Sequence, residues 1–109
     1  GWEANYRKRH PYNLIAMIDT WLRCDISQLD SPERDDQHAL SNITARTVVM
    51  PSSTDLYFTV EDCQRESKLI PNSELVPIES IWGHRAGNPN QNPTDEAFIR
   101  NTVQRLLSE

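Results

Sequence analysis

The chain has 109 residues, a formal net charge of −5 and a 37% share of apolar residues, so it holds one small domain at most and lacks the clustered positive charge that grips nucleic acid. Its apolar share is low against the usual ~45–50%, glycine included, while a lone domain of this length has to bury roughly two thirds of its unfolded surface. No apolar stretch approaches the ~20 residues that cross a bilayer, so no membrane partner is expected.

In chain order, no secretory signal opens the sequence, although its first residue is Gly1 rather than Met and a targeting segment could have been removed. A cytoplasmic location is the expectation. The short basic run "RKRH" at 7–10 stops at Pro11 and reads as a solvated face. Residues 12–24, "YNLIAMIDTWLRC", space Leu14, Ile15, Ile18, Trp21 and Leu22 as one side of an amphipathic helix, with Asn13 as its expected cap. Residues 25–42 then carry five acidic side chains and little that is apolar, which predicts an exposed connector. The tripeptide "NIT" at 42–44 fits the N-glycosylation pattern, a pattern short enough to arise by chance.

The remainder has a compact rhythm. "ARTVVM" at 45–50 has the β-branched content of a strand buried on both faces, and Pro51 ends it before the loop "SSTD". Residues 60–70 space Val60, Cys63, Ser67 and Ile70 along one face of a short helix, which Pro71 and Asn72 break. "ELVPIESI" at 74–81 reads as a second strand, and "PTDEAFIRNTVQRLL" as the clearest helix, with Thr94 as the expected cap and Ala97, Phe98, Ile99, Val103, Leu106 and Leu107 as its apolar side. Strand, helix, strand, helix is the order of a parallel α/β sheet. Two strands are marginal in water, so part of the core is expected to come from outside these residues. Trp2, Trp21, Trp82, Phe58 and Phe98 are the large candidate anchors. The domain reading is a helix and connector over 1–42 and a strand-helix-strand-helix α/β unit over 43–109.

Groups that do chemistry on such sheets gather beyond the carboxyl ends of the strands. Asp55 follows the first strand and His84 follows the second. If the strands are parallel neighbours, the carboxylate can fix the imidazole tautomer and leave the other ring nitrogen free to accept a proton. Gly83 and Gly87 would let the histidine loop bend. The bland readings stay open: a surface histidine for His84, and a turn residue bonding its own backbone for Asp55. Cys24 and Cys63 form no disulfide framework and read as reduced thiols. Cys63 with His84 could imitate a thiol nucleophile and base, but no activating cation lies near it in sequence. His10, His38 and His84 share no metal-ligand spacing, so no metal is expected.

From "TARTVVMPSSTDLYF" through "ESIWGHRAGNP", the chain resembles the carboxyl-terminal part of α/β-hydrolase-fold acyltransferases of the homoserine O-acetyltransferase type, and "DTWLRCDIS" at 19–27 is similar to their helical lid segment. The aspartate in "STDLYF" and the histidine in "SIWGH" carry most of the likeness. It implies that Asp55 is the acid and His84 the base of a Ser-Asp-His triad whose serine lies upstream of residue 1. None of the nine serines present sits between small residues at a strand-to-helix turn, and Ser52 and Ser53 read as loop-shaping residues. The resemblance further implies a small-molecule substrate, an acetyl-CoA or other acyl-CoA co-substrate with no bound cofactor, and the upstream half of the enzyme as partner; a homodimer is one open oligomeric state. In that family an acidic residue commonly follows the histidine. Here Arg85 follows it and would favour a carboxylate or phosphate over an amine, unless it is a solvated loop charge. Trp82 could line a substrate pocket or pack at the strand end. A serine esterase or thioesterase of the same fold, and a non-catalytic module, are the rival readings. In isolation the 109 residues are expected to be inactive.

Overall fold

The computed structural model describes residues 2–25 and 36–108. They divide into two compact units, residues 1–39 and 40–109. Most of the expected connector, residues 26–35, and the side chain of Trp2 lie outside the described residues.

The first unit contains α1 (Trp2–Tyr6) and α2 (Pro11–Arg23). Pro11 occupies the first turn of α2, where its fixed φ suits a helix and its missing N–H costs nothing. The helix therefore starts two residues before the expected cap Asn13. Its apolar side is not covered: α2 has no buried residue, and Trp21, expected as an anchor, is 67% exposed. Together with Tyr6 and Arg9, the residues Leu14, Met17, Ile18 and Trp21 frame an open recess of about 490 Å³. No helix among the described residues is long and apolar enough to cross a membrane.

Helix α3 (Asp36–Ser41) leads into the second unit, which runs β1 (Thr47–Val49), α4 (Val60–Leu69), β2 (Ser73–Leu75), a 3-10 turn (Gly83–Arg85) and α5 (Pro93–Ser108). The two strands are parallel, with Thr47, Val48 and Val49 facing Ser73, Glu74 and Leu75. Both strands are shorter than their sequences predict, and at their carboxyl ends the reason is proline. Pro51 lacks the N–H that would carry the ladder on to Val76. The extended segments nevertheless stay in register beyond it. Val76 N–H donates to Val49 O at 2.9 Å, Ile78 N–H to Pro51 O at 2.8 Å, and Ser53 N–H to Ile78 O at 2.9 Å. Ser52 bridges Ile78 at the same offset that pairs Thr47 with Ser73, so Pro51 and Pro77 stand opposite each other.

Helix α4 starts at Thr59, whose hydroxyl accepts from the Asp62 N–H and donates to the Asp62 carboxylate; this cap satisfies an otherwise orphaned amide. Its face Val60, Cys63, Ser67 and Ile70 is the buried or half-buried one, and the Ser67 and Ser73 hydroxyls meet at 2.6 Å to tie α4 to β2. Helix α5 is capped by Asn92 rather than by Thr94. Asn92 Oδ1 accepts from Asp95 N–H at 3.2 Å, and Pro93 fills the first helical position. The inward row of α5 is Asp95, Ile99, Thr102 and Leu106, whereas Phe98, Val103 and Leu107 face solvent. The buried apolar set is small, with Ile70, Ile78 and Ala86 in it. No large side chain among the described residues is fully buried.

Candidate functional site

Both loops that leave the carboxyl ends of β1 and β2 are held by specific hydrogen bonds, and together they place Asp55 and His84 in contact. His84 Nδ1 lies 3.0 Å from Asp55 Oδ2. The two side chains differ in exposure: Asp55 is 7% exposed and His84 54% exposed. Asp55 also organises its own loop, because Oδ1 accepts from the Tyr57 N–H at 2.8 Å and from the Phe58 N–H at 3.3 Å. The turn role and the histidine-facing role are filled by different oxygens of one carboxylate. Partial desolvation pushes this carboxyl up. The Tyr57 N–H, the His84 ring, the Phe58 N–H and the imidazole charge outweigh that effect and hold it below the ordinary carboxylate range.

The turn Gly83–Arg85 presents the ring. Gly83 has φ +54°, in the left-handed region, and a Cβ there would approach Thr54 O to 3.3 Å, so glycine is needed for both conformation and space. Gly87 needs neither, since its surroundings are open. The imidazole sits against two rings, Tyr57 edge-on at 5.1 Å and Phe58 tilted at 5.5 Å. The hydrogen bond the structure gives the ring is at Nδ1, to Asp55. With the Asp55 carboxylate accepting at Nδ1, the neutral ring keeps its proton there and its lone pair at Nε2.

Neighbouring hydroxyls fix the loops to each other. Thr54 Oγ1 donates to Ser80 O at 2.7 Å and accepts from Gly83 N–H at 3.1 Å. Ser53 Oγ accepts from Ser80 N–H at 3.2 Å. Ser80 Oγ in turn donates to the buried Asp95 carboxylate at 2.5 Å and accepts from Trp82 N–H at 3.1 Å, while Asn92 Nδ2 donates to the same carboxylate oxygen at 2.6 Å. Thr54, Ser80 and Asp95 escape a reading of the sequence, because their roles appear only once the two loops and the start of α5 meet. Asn92 before Pro93, with Asp95 three residues on, is the one signal that could have found the cap.

His84, Asp55, Gly83 and Gly87 line a recess of about 280 Å³ with Met50, Phe58, Cys63 and Ser52. Ser52 is 5% exposed, and its hydroxyl has no hydrogen-bond partner among the described residues. The Cys63 thiol is pushed above its ordinary value by burial first, then by the charges of Glu66, Asp62 and Asp55, which suppresses the thiolate a nucleophile requires. Arg85 and Trp82 stand apart from this recess. The Arg85 guanidinium lies 5.4 Å over the Trp82 ring, and Trp82 lines a separate recess with Asn92 and Asp95. Among the described residues no cluster of His, Cys, Asp and Glu could hold a metal ion.

No protein-family model matches the chain. An ethyl acetate hydrolase of Pseudomonas veronii is 49% identical over 74 residues, which is 68% of this chain and 21% of that protein. A protein of Corynebacterium glutamicum named as a probable esterase is 42% identical over 74 residues, with the same two coverages. The chain thus spans about a fifth of the length of the curated relatives it matches. Among solved structures, the acetyl esterase MekB superposes with a TM-score of 0.66 at 42% identity, over 71% of this chain and 22% of that one. An acetylester hydrolase from Corynebacterium glutamicum superposes with a TM-score of 0.61 at 38% identity and the same coverages. The two parallel strands and their helices match the C-terminal part of these α/β-hydrolase esterases, and the chain is related to acetyl esterases over that part.

Proposed function

We propose that this chain carries the base and the acid of a serine esterase acting on small acetyl-type esters. His84 is the base, Asp55 the acid, and the serine comes from the part of the esterase fold upstream of the matched segment. The observation that carries this reading is the 3.0 Å approach of His84 Nδ1 to Asp55 Oδ2, made by loops that follow adjacent parallel strands. Nε2 takes the serine proton as Oγ bonds to the ester carbonyl carbon. The bond to the alcohol oxygen then breaks, and the imidazolium returns its proton to the departing alkoxide. Water, deprotonated by the same nitrogen, bonds to the acyl carbon; the bond to Oγ then breaks, the serine oxygen takes the proton back from the imidazolium, and the acid leaves. Asp55 stabilises the imidazolium in both halves of the cycle.

The names of the similar proteins, an ethyl acetate hydrolase and two acetyl esterases, support hydrolysis over transfer. The homoserine O-acetyltransferase reading shares Asp55, His84 and the serine with the esterase reading and differs in the acceptor, a hydroxyl compound in place of water, and in its use of acyl-CoA. Arg85, stacked on Trp82 outside the His84 recess, gives that reading no amine-binding group. The test uses the complete protein with its upstream serine. Ethyl acetate and other short acetate esters are expected to be hydrolysed, and His84→Ala is expected to lower the rate by roughly three orders of magnitude or more. Acetyl transfer from acetyl-CoA to homoserine without ester hydrolysis would overturn the esterase proposal.

A further inference from the structure

We infer that Thr54 is a positioning residue for His84, the hydroxyl that locks the acid-bearing loop and the base-bearing loop into one unit. The inference rests on the reading of His84 and Asp55 as base and acid. Thr54 immediately precedes Asp55, and Gly83 immediately precedes His84. The Thr54 hydroxyl accepts from the Gly83 N–H at 3.1 Å while donating to Ser80 O at 2.7 Å. The two loops are therefore tied one residue upstream of each functional side chain, and the distance between Asp55 and His84 is bridged by one hydrogen bond and two short covalent arms.

Other cross-links do not replace it. Ser53 N–H to Ile78 O and Ser80 N–H to Ser53 Oγ join the segments earlier, before the chain turns at Gly83 into the left-handed region. Past that turn, the bond to Thr54 is the contact the structure gives the Gly83 amide. A threonine suits the task. Its β-branch restricts χ1, so the hydroxyl is held toward both partners with little rotational freedom. It uses its donor and its acceptor at once, which a valine of the same shape cannot do.

Positioning of this kind shows in the ring rather than in the fold. Thr54 is exposed, so water can take over Ser80 O and Gly83 N–H when the hydroxyl is removed, and Thr54→Val is expected to fold. Nitrogen NMR of the His84 imidazole at alkaline pH reads the tautomer in the complete enzyme. The wild type is expected to hold its proton on Nδ1, facing Asp55. Thr54→Val is expected to lose that bias and populate both tautomers, Thr54→Ala to do the same by truncation, and Thr54→Ser to restore it. In the complete enzyme Thr54→Val is expected to lower kcat by roughly ten- to a hundredfold with little change in KM, since a displacement of about 1 Å can cost that much.

If Thr54→Val and Thr54→Ala keep the wild-type tautomer, or if Thr54→Ser loses it, the positioning role is wrong and the acid–base pair stands without it. Asp55→Asn separates the two levels of the argument. Should that change also leave the tautomer untouched, the pairing of His84 with Asp55 itself fails, and with it the proposed function.

Discussion

Asp55 divides its carboxylate between two tasks: Oδ2 meets His84 Nδ1 at 3.0 Å, while Oδ1 accepts the backbone N–H groups of Tyr57 and Phe58. The residue that meets the imidazole thereby also shapes the loop that brings Tyr57 and Phe58 against it.

That division makes two substitutions separable. Asp55→Asn can keep the carbonyl oxygen that the Tyr57 and Phe58 amides require, yet it removes the charge that stabilises an imidazolium. In the complete enzyme it is expected to lower kcat by about three to four orders of magnitude with little loss of melting temperature. Asp55→Ala removes both functions and is expected to lower the melting temperature as well. Steady-state kinetics and thermal melts on the same two variants check the separation.

The lowered Asp55 carboxyl also fixes a sign. Because the folded state holds this proton less tightly than the unfolded chain does, the unfolded state binds more protons in the acid range, and stability rises with pH there. The contribution is present above the ordinary carboxylate value and is lost as pH falls through the lowered folded one. Thermal melts from neutral to acid pH should show the wild-type advantage over Asp55→Ala shrinking toward the acid end. A constant difference across that range would contradict the assignment.

The two thiols should react in a definite order. Cys24 is exposed, whereas Cys63 is half-buried and its thiol is held above the ordinary value by burial and nearby acids. Iodoacetamide is therefore expected to label Cys24 first and Cys63 slowly, as peptide mass spectrometry of a time course would show. The raised thiol has its own pH consequence. Above the ordinary thiol value the unfolded chain gives up this proton first, so Cys63 subtracts stability in strongly alkaline solution.

Gly83 and Gly87 flank the same turn and should respond differently to a methyl group. Gly83→Ala places an L-residue at φ +54° with its Cβ 3.3 Å from Thr54 O, and the left-handed conformation alone costs about 1–2 kcal/mol. Gly87→Ala meets nothing within 4 Å and has no positive φ, so it is expected to be neutral or slightly stabilising. Urea midpoints of the two variants check the contrast.

How far the sequence reached can be argued from α5 and the two loops. The stretch read as α5 begins at Pro93, where the helix begins, although the expected cap Thr94 lies two residues past the observed one, Asn92. Its inward face was not legible. Phe98, Val103 and Leu107 look like core in a list of hydropathies, but the packed row runs Asp95, Ile99, Thr102, Leu106. Two of those four are polar and become tolerable inside only because Asn92 and Ser80 satisfy Asp95, and because the Thr102 hydroxyl bonds the Phe98 carbonyl at 3.0 Å. The pairing of Asp55 with His84 was partly legible, since parallel neighbouring strands would send both to the same end of the sheet, and the resemblance to a triad-bearing family singled the two out. The hydroxyls that hold them there were not, since Thr54 and Ser80 bond mainly to backbone groups, which any sequence supplies. Gly83 and Gly87 look equivalent in the chain. Only the backbone angle and the proximity of Thr54 distinguish them.

Pro77, facing Pro51 across the two strands, gives the sheet a direction. Val76 and Ile78 send their N–H groups toward β1, so the nitrogen of the residue between them points the other way, where proline has no hydrogen to offer and a ring in the path of a further strand. The outer margin of β2 is thereby blocked at Pro77, while Leu75 two residues earlier still turns its N–H and C=O outward. The free side of β1 has no such ring at Val48, whose N–H and C=O turn outward from the pair.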